Sequence, residues 1–249
     1  MNGVRIDPLG PRGFLDAVAS FLACGRSHTV HFCAAHPTTE ARTDVAYRDL
    51  LNRGDLNLAD GAPVAWAARA QGYPADRLPG SEGMELIADW GRERGLGHFL
   101  YGGTPEVLEG LRAGLERTQP GIRIVGMEAP PFRPVSDEEL GVTLAKIREA
   151  GADAVWIGLG APKQDVMGAR MRDAEAAPLV FCVGAAFDFL SGTKRRAPTW
   201  MRRLGLEWLH RLLSEPGRLW KRYLIGNTRF IAGVLTDQIR TLREGRRPS

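Results

Sequence analysis

Residues 154–164 read AVWIGLGAPKQ. Ala154 to Leu159 is an unbroken apolar run with no polar residue at alternate positions. A strand of that kind is covered on both faces, which is the condition inside a parallel sheet flanked by helices. The turn Gly160-Ala161-Pro162 follows it, and Lys163 and Gln164 open a helix. Strand, glycine turn and helix make up the repeating unit of an α/β fold.

The unit recurs outward from this stretch. Residues 11–24 place Phe14, Val18, Phe21 and Leu22 on one helical face. His28–Ala34 reads as a strand, 38–53 as a helix, and Asp55–Ala59 as a strand closed by Asp60-Gly61. Ala62–Gln71 reads as a helix with Pro63 in its first turn, and Gly80–Arg94 as another. Gly97–Tyr101 is a strand ending in Gly102-Gly103, after which Thr104 and Pro105 supply the N-cap and first position of a helix. Ile122–Gly126 is a strand, and Ser136 with Glu139 forms a capping box for a helix reaching Glu149. Leu179–Val183 is the last strand. The predicted fold is therefore α/β: a Rossmann-like parallel sheet flanked by helices, with a basic amphipathic helical appendage at the C-terminus. Residues 1–193 form the α/β domain and 194–249 the appendage.

With 44% apolar and 25% charged residues among 249, the chain is neither disordered nor collagen-like. Its net charge of +4 is unevenly spread. Residues 194–249 hold 14 Lys/Arg and 4 Asp/Glu, whereas 1–193 hold 19 and 25. An acidic body with a basic tail implies contact with a polyanion: nucleic acid, an anionic bilayer or a phosphorylated ligand. There is no N-terminal signal pattern and no run of 18 apolar residues, so the expected location is the cytosol or the surface of a membrane. Cys24, Cys33 and Cys182 form no CxxC pair and read as small buried hydrophobes. His28 and His31 have no further ligand pattern beside them, so no metal site is expected there.

Ligands of parallel α/β sheets bind at the carboxyl ends of the strands. That rule selects Asp60-Gly61, Gly102-Gly103-Thr104, Gly158–Gln164 and Gly184–Asp188. No GxGxxG fingerprint with its later acidic residue is present, and no GxxxxGK[ST], which disfavours a dinucleotide dehydrogenase and P-loop chemistry. Asp60 is either a general base or the cap of the helix that follows. Arg77 either reaches the same rim or is a surface arginine. Lys163 and Gln164 stand at a helix N-terminus, which favours anions; Gln164 either bonds a sugar hydroxyl or belongs to a solvated first turn. Asp188, among the apolar residues of AAFDFL, is either paired or part of a site. The chain has no DxD, so a nucleotide diphosphate would need arginines rather than a divalent ion to carry its charge.

In the tail, Leu206, Leu209, Leu212 and Leu213 share a helical face near Trp208, and Pro216 breaks that helix. A further amphipathic helix contains Phe230, Ile231, Val234, Leu235, Ile239 and Leu242. Tryptophan, tyrosine and arginine together fit a lipid interface, and the alternative is that these apolar faces pack on the sheet. A nucleic-acid contact lacks any accompanying binding module.

Taken in order, NLADGAPVAW (57–66), RLPGSE (77–82), FLYGGTPE (99–106), WIGLGAPKQD (156–165), VGAAFDFLSG (183–192) and RRAPTWMRRLGLEWLHRLLSEPGR (195–218) resemble the WecG/TagA/CpsF glycosyltransferases, glycosyltransferase family 26. The resemblance implies inverting transfer from a UDP-sugar to a polyprenyl-diphosphate-linked saccharide at the cytoplasmic membrane face, without a metal ion or other cofactor. It implies Asp60 as the base, Arg77 and Gln164 as holding the nucleotide-sugar and acceptor, and Arg211, Arg218 and Lys221 as completing the site over the diphosphate. Gly102, Gly103, Lys163 and Asp188 are the further candidate substrate contacts. Lys221 stands where arginine is common and lacks the bidentate fork. Ala34 stands where many members carry Asn, with His36 close by. Self-association that buries the appendage is a further implication. The rival readings are a non-catalytic scaffold that recruits enzymes to the membrane, and a nucleic-acid binder driven by the basic tail.

Overall fold

The computed structural model describes residues 1–243, apart from the side chains at positions 203, 218, 221–225 and 240–243. Helix α1 (Pro11–Cys24) opens on proline and stops at Gly25 in the left-handed region, burying Phe14 and Val18. Strand β1 (His28–Cys33) is buried along its whole length. The single helix expected over 38–53 is two, α2 (Ala35–Thr43) and α3 (Val45–Asn52). Asp44 between them is extended and its carboxylate accepts from the Tyr47 N–H at 2.9 Å, so a capping aspartate starts a new helix. Strand β2 (Leu56–Ala59) leads to α4 (Ala62–Ala70), and α5 (Gly80–Arg92) precedes β3 (Gly97–Gly102). Then come α6 (Pro105–Thr118), β4 (Arg123–Glu128), α7 (Asp137–Glu149) with its capping box formed, β5 (Ala154–Gly158), α8 (Lys163–Asp173) and β6 (Leu179–Cys182). The chain continues with the short α9 (Ala186–Leu190) and α10 (Thr199–Arg203), then α11 (Glu207–Ser214) and α12 (Pro216–Arg243).

The six strands form one sheet in the order β2-β1-β6-β5-β3-β4, every neighbouring pair parallel. Along β5 the side chains alternate between two apolar layers. Trp156 joins Phe14, Leu100 and Phe181 on one face, and Val155 and Ile157 join Tyr101, Ile147 and Met171 on the other. This is why residues 154–159 carry no polar alternation. Trp156 stacks on Phe181 at 4.2 Å between ring centroids and donates its indole N–H to His98 Nδ1 at 3.0 Å. Burial holds the His98 pKa down to about 4, so its ring is neutral and accepts that bond.

The tail is divided between core and surface. Pro216 separates α11 from α12, as a helix breaker should, but α12 then runs unbroken to Arg243. Phe230 and Val234 of α12 pack on Ala59, Val64 and Ala65, and Leu219 is buried too. Arg42 of α2 locks the helix in place, donating to Asp237 Oδ1 at 3.0 Å and to the Gly233 carbonyl at 3.1 Å. Trp200, Leu204, Leu213, Trp220, Ile231, Leu235 and Ile239 are exposed, whereas Leu206, Trp208, Leu209 and Leu212 are half-buried. No helix among the described residues is long and apolar enough to cross a membrane. Of the three cysteines, Cys33 and Cys182 are buried, whereas Cys24, at the last turn of α1, is exposed.

Truncating the aromatic anchor of α12 tests this docking. Phe230→Ala is expected to cost about 3 kcal/mol in chemical denaturation. It should also raise amide exchange along α12 while leaving the protection of β5 and β6 unchanged.

Candidate functional site

Three adjacent strands end under one cavity: Ala34 follows β1, Asp60 follows β2, and Val183 and Ala185 follow β6. The wall opposite comes from the tail, through Glu207, Trp208 and Arg211 of α11 and Asn227 of α12. Body and appendage therefore share the cavity.

Asp60 is not the cap of its own helix. The N-cap of α4 is Gly61, with no side-chain bond. The Asp60 carboxylate instead accepts the N–H of Gly80, the first residue of α5, at 3.2 Å. Glycine is required there, because a Cβ on Gly80 would lie 2.7 Å from the Val183 carbonyl oxygen. Burial and then the Glu207 carboxylate push the Asp60 pKa up to about 6, against the Gly80 N–H, Arg77 and Arg211, which pull it down. A carboxyl group with that pKa, facing a cavity, is matched to proton transfer near neutral pH.

Arg77 is not a plain surface arginine. Its Nη1 donates to Glu207 Oε2 and its Nη2 to Glu82 Oε1, both at 3.3 Å. Glu82 Oε1 also accepts from Arg196 at 2.8 Å and Arg202 at 3.4 Å, and Arg196 Nε lies 3.8 Å from Glu207 Oε1. Two carboxylates thus bind three guanidinium groups across the seam between α5 and the tail. Arg211 reaches the same cavity and stacks its guanidinium over Phe189, 5.4 Å from the ring centroid.

The other candidates sit elsewhere. Gly102 and Gly103 end β3, which the sheet order puts two strands beyond β6, about 10 Å away. Both have positive φ; a Cβ on Gly102 would meet the Gly158 carbonyl on the neighbouring strand at 2.7 Å and one on Gly103 would meet Val107 of α6 at 3.0 Å, so Gly102 serves close strand packing and Gly103 the turn into α6. Lys163 is exposed at the start of α8 and does not line the cavity. Gln164 is buried: its Oε1 accepts from the Gly160 N–H at 3.1 Å, and its Nε2 donates to the Cys182 carbonyl at 3.3 Å. Its amide ties the β5–α8 turn to the end of β6 rather than projecting into the cavity. Asp188 is paired, with Lys194 Nζ at 2.8 Å, and Lys194 also reaches Glu215 at 3.3 Å. The side chains of Arg218 and Lys221 lie outside the described residues. Ala34 and His36 both line the cavity, so the side chain that Ala34 lacks is missing at the site itself.

Beneath α8, His31 Nδ1 meets Asp165 Oδ1 at 2.8 Å and the Tyr47 hydroxyl donates to Asp165 Oδ2 at 2.6 Å, all three buried. Ligand atoms of His31, Asp165 and Cys182 lie within 4.8 Å of one another, a grouping that the spacing around His31 does not reveal. Both Asp165 oxygens are already hydrogen-bonded, so the cluster works as an internal support for the α8 turn.

The family model described as the glycosyl transferase WecG/TagA/CpsF family matches residues 1–244. The chain belongs to this family. As a WecG/TagA/CpsF member it is a glycosyltransferase of polysaccharide or cell-wall polymer biosynthesis. A glycosyltransferase of this family must accommodate an anionic sugar donor, and the arginines gathered around Asp60 are suited to one.

Glu82 is the shared acceptor of the ion cluster. Glu82→Gln is expected to destabilise the protein by about 1–2 kcal/mol and to open residues 194–206 to limited proteolysis. An unchanged digestion pattern would mean that apolar contacts alone hold the tail.

Proposed function

We propose that the protein is an inverting, metal-independent hexosyltransferase. It moves a sugar from a UDP-sugar to a polyprenyl-diphosphate-linked saccharide at the cytoplasmic face of the cell membrane. The observation that carries this reading is the half-buried Asp60 carboxyl, raised to about 6, in a cavity it shares with Arg77 and Arg211.

In the proposed reaction Asp60 takes the proton of the acceptor hydroxyl. The hydroxyl oxygen attacks the anomeric carbon from the face opposite the leaving group. The bond from that carbon to the diphosphate oxygen breaks, and UDP departs with the electron pair. A single displacement inverts the anomeric centre. Arg77 and Arg211 offset the charge that gathers on the leaving diphosphate, a stabilisation strongest in a site shielded from water. Residues 194–249 act as an appendage that closes the site, with Arg218 and Lys221 proposed from their motif positions. The exposed Trp200, Leu213, Trp220 and Ile231 supply the apolar contact with the membrane surface, beside dense positive charge.

The decisive experiment is a screen of UDP-sugars against a short-chain polyprenyl-diphosphate saccharide, with and without EDTA. Transfer is expected with one or a few donors, at a rate that EDTA leaves unchanged. No transfer with any donor, or loss of transfer in EDTA, would count against the proposal.

Asp60→Asn is expected to reduce kcat by at least about a hundredfold. Because the Asp60 pKa is raised on folding, its ionisation opposes the folded state: the cost is absent below the ordinary carboxylate range and grows as pH rises through about 6. Asp60→Asn should therefore gain up to about 3 kcal/mol of stability at pH 8 relative to pH 4, read from thermal melts at both pH values. For the native enzyme, kcat/KM should fall as pH drops through about 6. Glu207→Gln removes a negative neighbour of Asp60, so the acid limb of its pH–rate profile is expected to move to lower pH. A limb that stays in place would detach Glu207 from the base.

A further inference from the structure

A second hollow adjoins the Asp60 cavity. The two share His36 of α2 and Gly226 of α12 in their walls, so they are immediate neighbours. From there the groove follows the seam of α2 and α12 as far as Thr236. Ten residue steps along α12 lead from Gly226 to Thr236, about 15 Å at the helical rise. That is room for more than one sugar ring.

Its walls fit a neutral, hydroxyl-rich ligand. Thr39 and Thr43 on α2 and Thr236 on α12 present hydroxyl groups, each donating to a backbone carbonyl of its own helix and so left to accept from a ligand. Glu40 and Arg229 add an acceptor and a donor set. Gly226 and Ala232 leave the α12 wall low, and the Ala232 and threonine methyl groups offer the C–H face of a sugar ring an apolar floor. Among the described residues the only aromatic ring in the lining is the His36 imidazole, where the groove meets the Asp60 cavity. Arg42 in the groove is engaged by Asp237 and the Gly233 carbonyl, and Glu40, 3.5 Å from His36 Nε2, stands against Arg229, so the groove carries little net charge. The same Arg42 bonds hold the two helices at a set distance, so the groove is formed before a ligand arrives.

We propose that the α2–α12 groove is a carbohydrate subsite that holds the part of the acceptor saccharide beyond the ring presented to Asp60. The assignment rests on the glycosyl-transfer reading above. It makes α12 a specificity element for acceptor length as well as a docking helix.

Two exposed groove positions, Ala232 and Thr236, allow the groove to be filled without disturbing buried packing. Full-length Ala232→Trp and Thr236→Trp are compared with the native protein on alkyl-diphosphate-linked monosaccharide and disaccharide acceptors. The KM for the disaccharide acceptor is expected to rise about tenfold, with the monosaccharide and donor KM unchanged. Equal effects on both acceptors, or none on either, would overturn the proposal. Binding is read separately by saturation-transfer NMR with free maltose, cellobiose and di-N-acetylchitobiose. Signal from at least one of them with the native protein, lost in both tryptophan variants, supports the subsite even if no transfer is seen, in which case only the transfer reading fails. The absence of signal from all three, or equal signal in all three proteins, overturns it.

Discussion

Two carboxylates hold the working shape of this protein together. Glu82 of α5 and Glu207 of α11 between them bind Arg77, Arg196 and Arg202, and the side chains of Arg77, Arg196 and Glu207 are each only 19% exposed. Ion pairs on an open surface contribute little, because water and salt screen them and ordering two long side chains costs entropy. Here the groups are half-buried and share partners, so removing one member leaves others charged and poorly solvated. The cluster therefore matters less for total stability than for geometry. It sets α11 over the ends of β1, β2 and β6, and without that placement the cavity would lack a wall.

One of these carboxylates, Glu207, also creates a tension at Asp60. Burial and Glu207 both work against its ionisation, while the α5 N-terminus and two arginines work for it. The balance leaves a base that is largely ionised at neutral pH but still basic enough to accept a proton. An anionic substrate would meet arginines whose charge is already partly neutralised by Glu82 and Glu207. Binding such a substrate means exchanging internal counter-anions for external ones, which holds the guanidinium groups in position beforehand and limits how tightly any polyanion is held. A basic tail whose inner arginines are engaged in this way can carry charge without closing on the first phosphate it meets.

Most of the fold is legible in the chain. The apolar run at 154–159, the proline-opened helices and the Ser136–Glu139 capping box all act within a few residues, so local chemistry is enough to find them. The break at Asp44 was legible in principle, since a capping aspartate sits there, but an unbroken helical pattern masks it. At the site, Asp60, Arg77 and Arg211 could be picked out because they stand at strand ends or within motifs. Glu82, Glu207 and Arg196 lie inside the same motifs, yet nothing in their spacing shows that body and tail meet here, since Arg77 and Glu207 are 130 residues apart and Glu82 and Arg196 are 114 apart. The buried His31–Asp165–Tyr47 support was invisible for the same reason.

What the sequence determined by itself is the alternation of strand and helix, the parallel sheet and the family, because each follows from local periodicity, turn chemistry or an ordered set of motifs. What only the tertiary structure decided is which strand ends share a cavity. Four glycine-bearing strand ends look equivalent along the chain. The order β2-β1-β6-β5-β3-β4 brings Asp60 and Val183 together and sends Gly102 and Gly103 away. Strand order is set by how whole layers of side chains pack, and that is a property of the sheet as a unit rather than of any one segment.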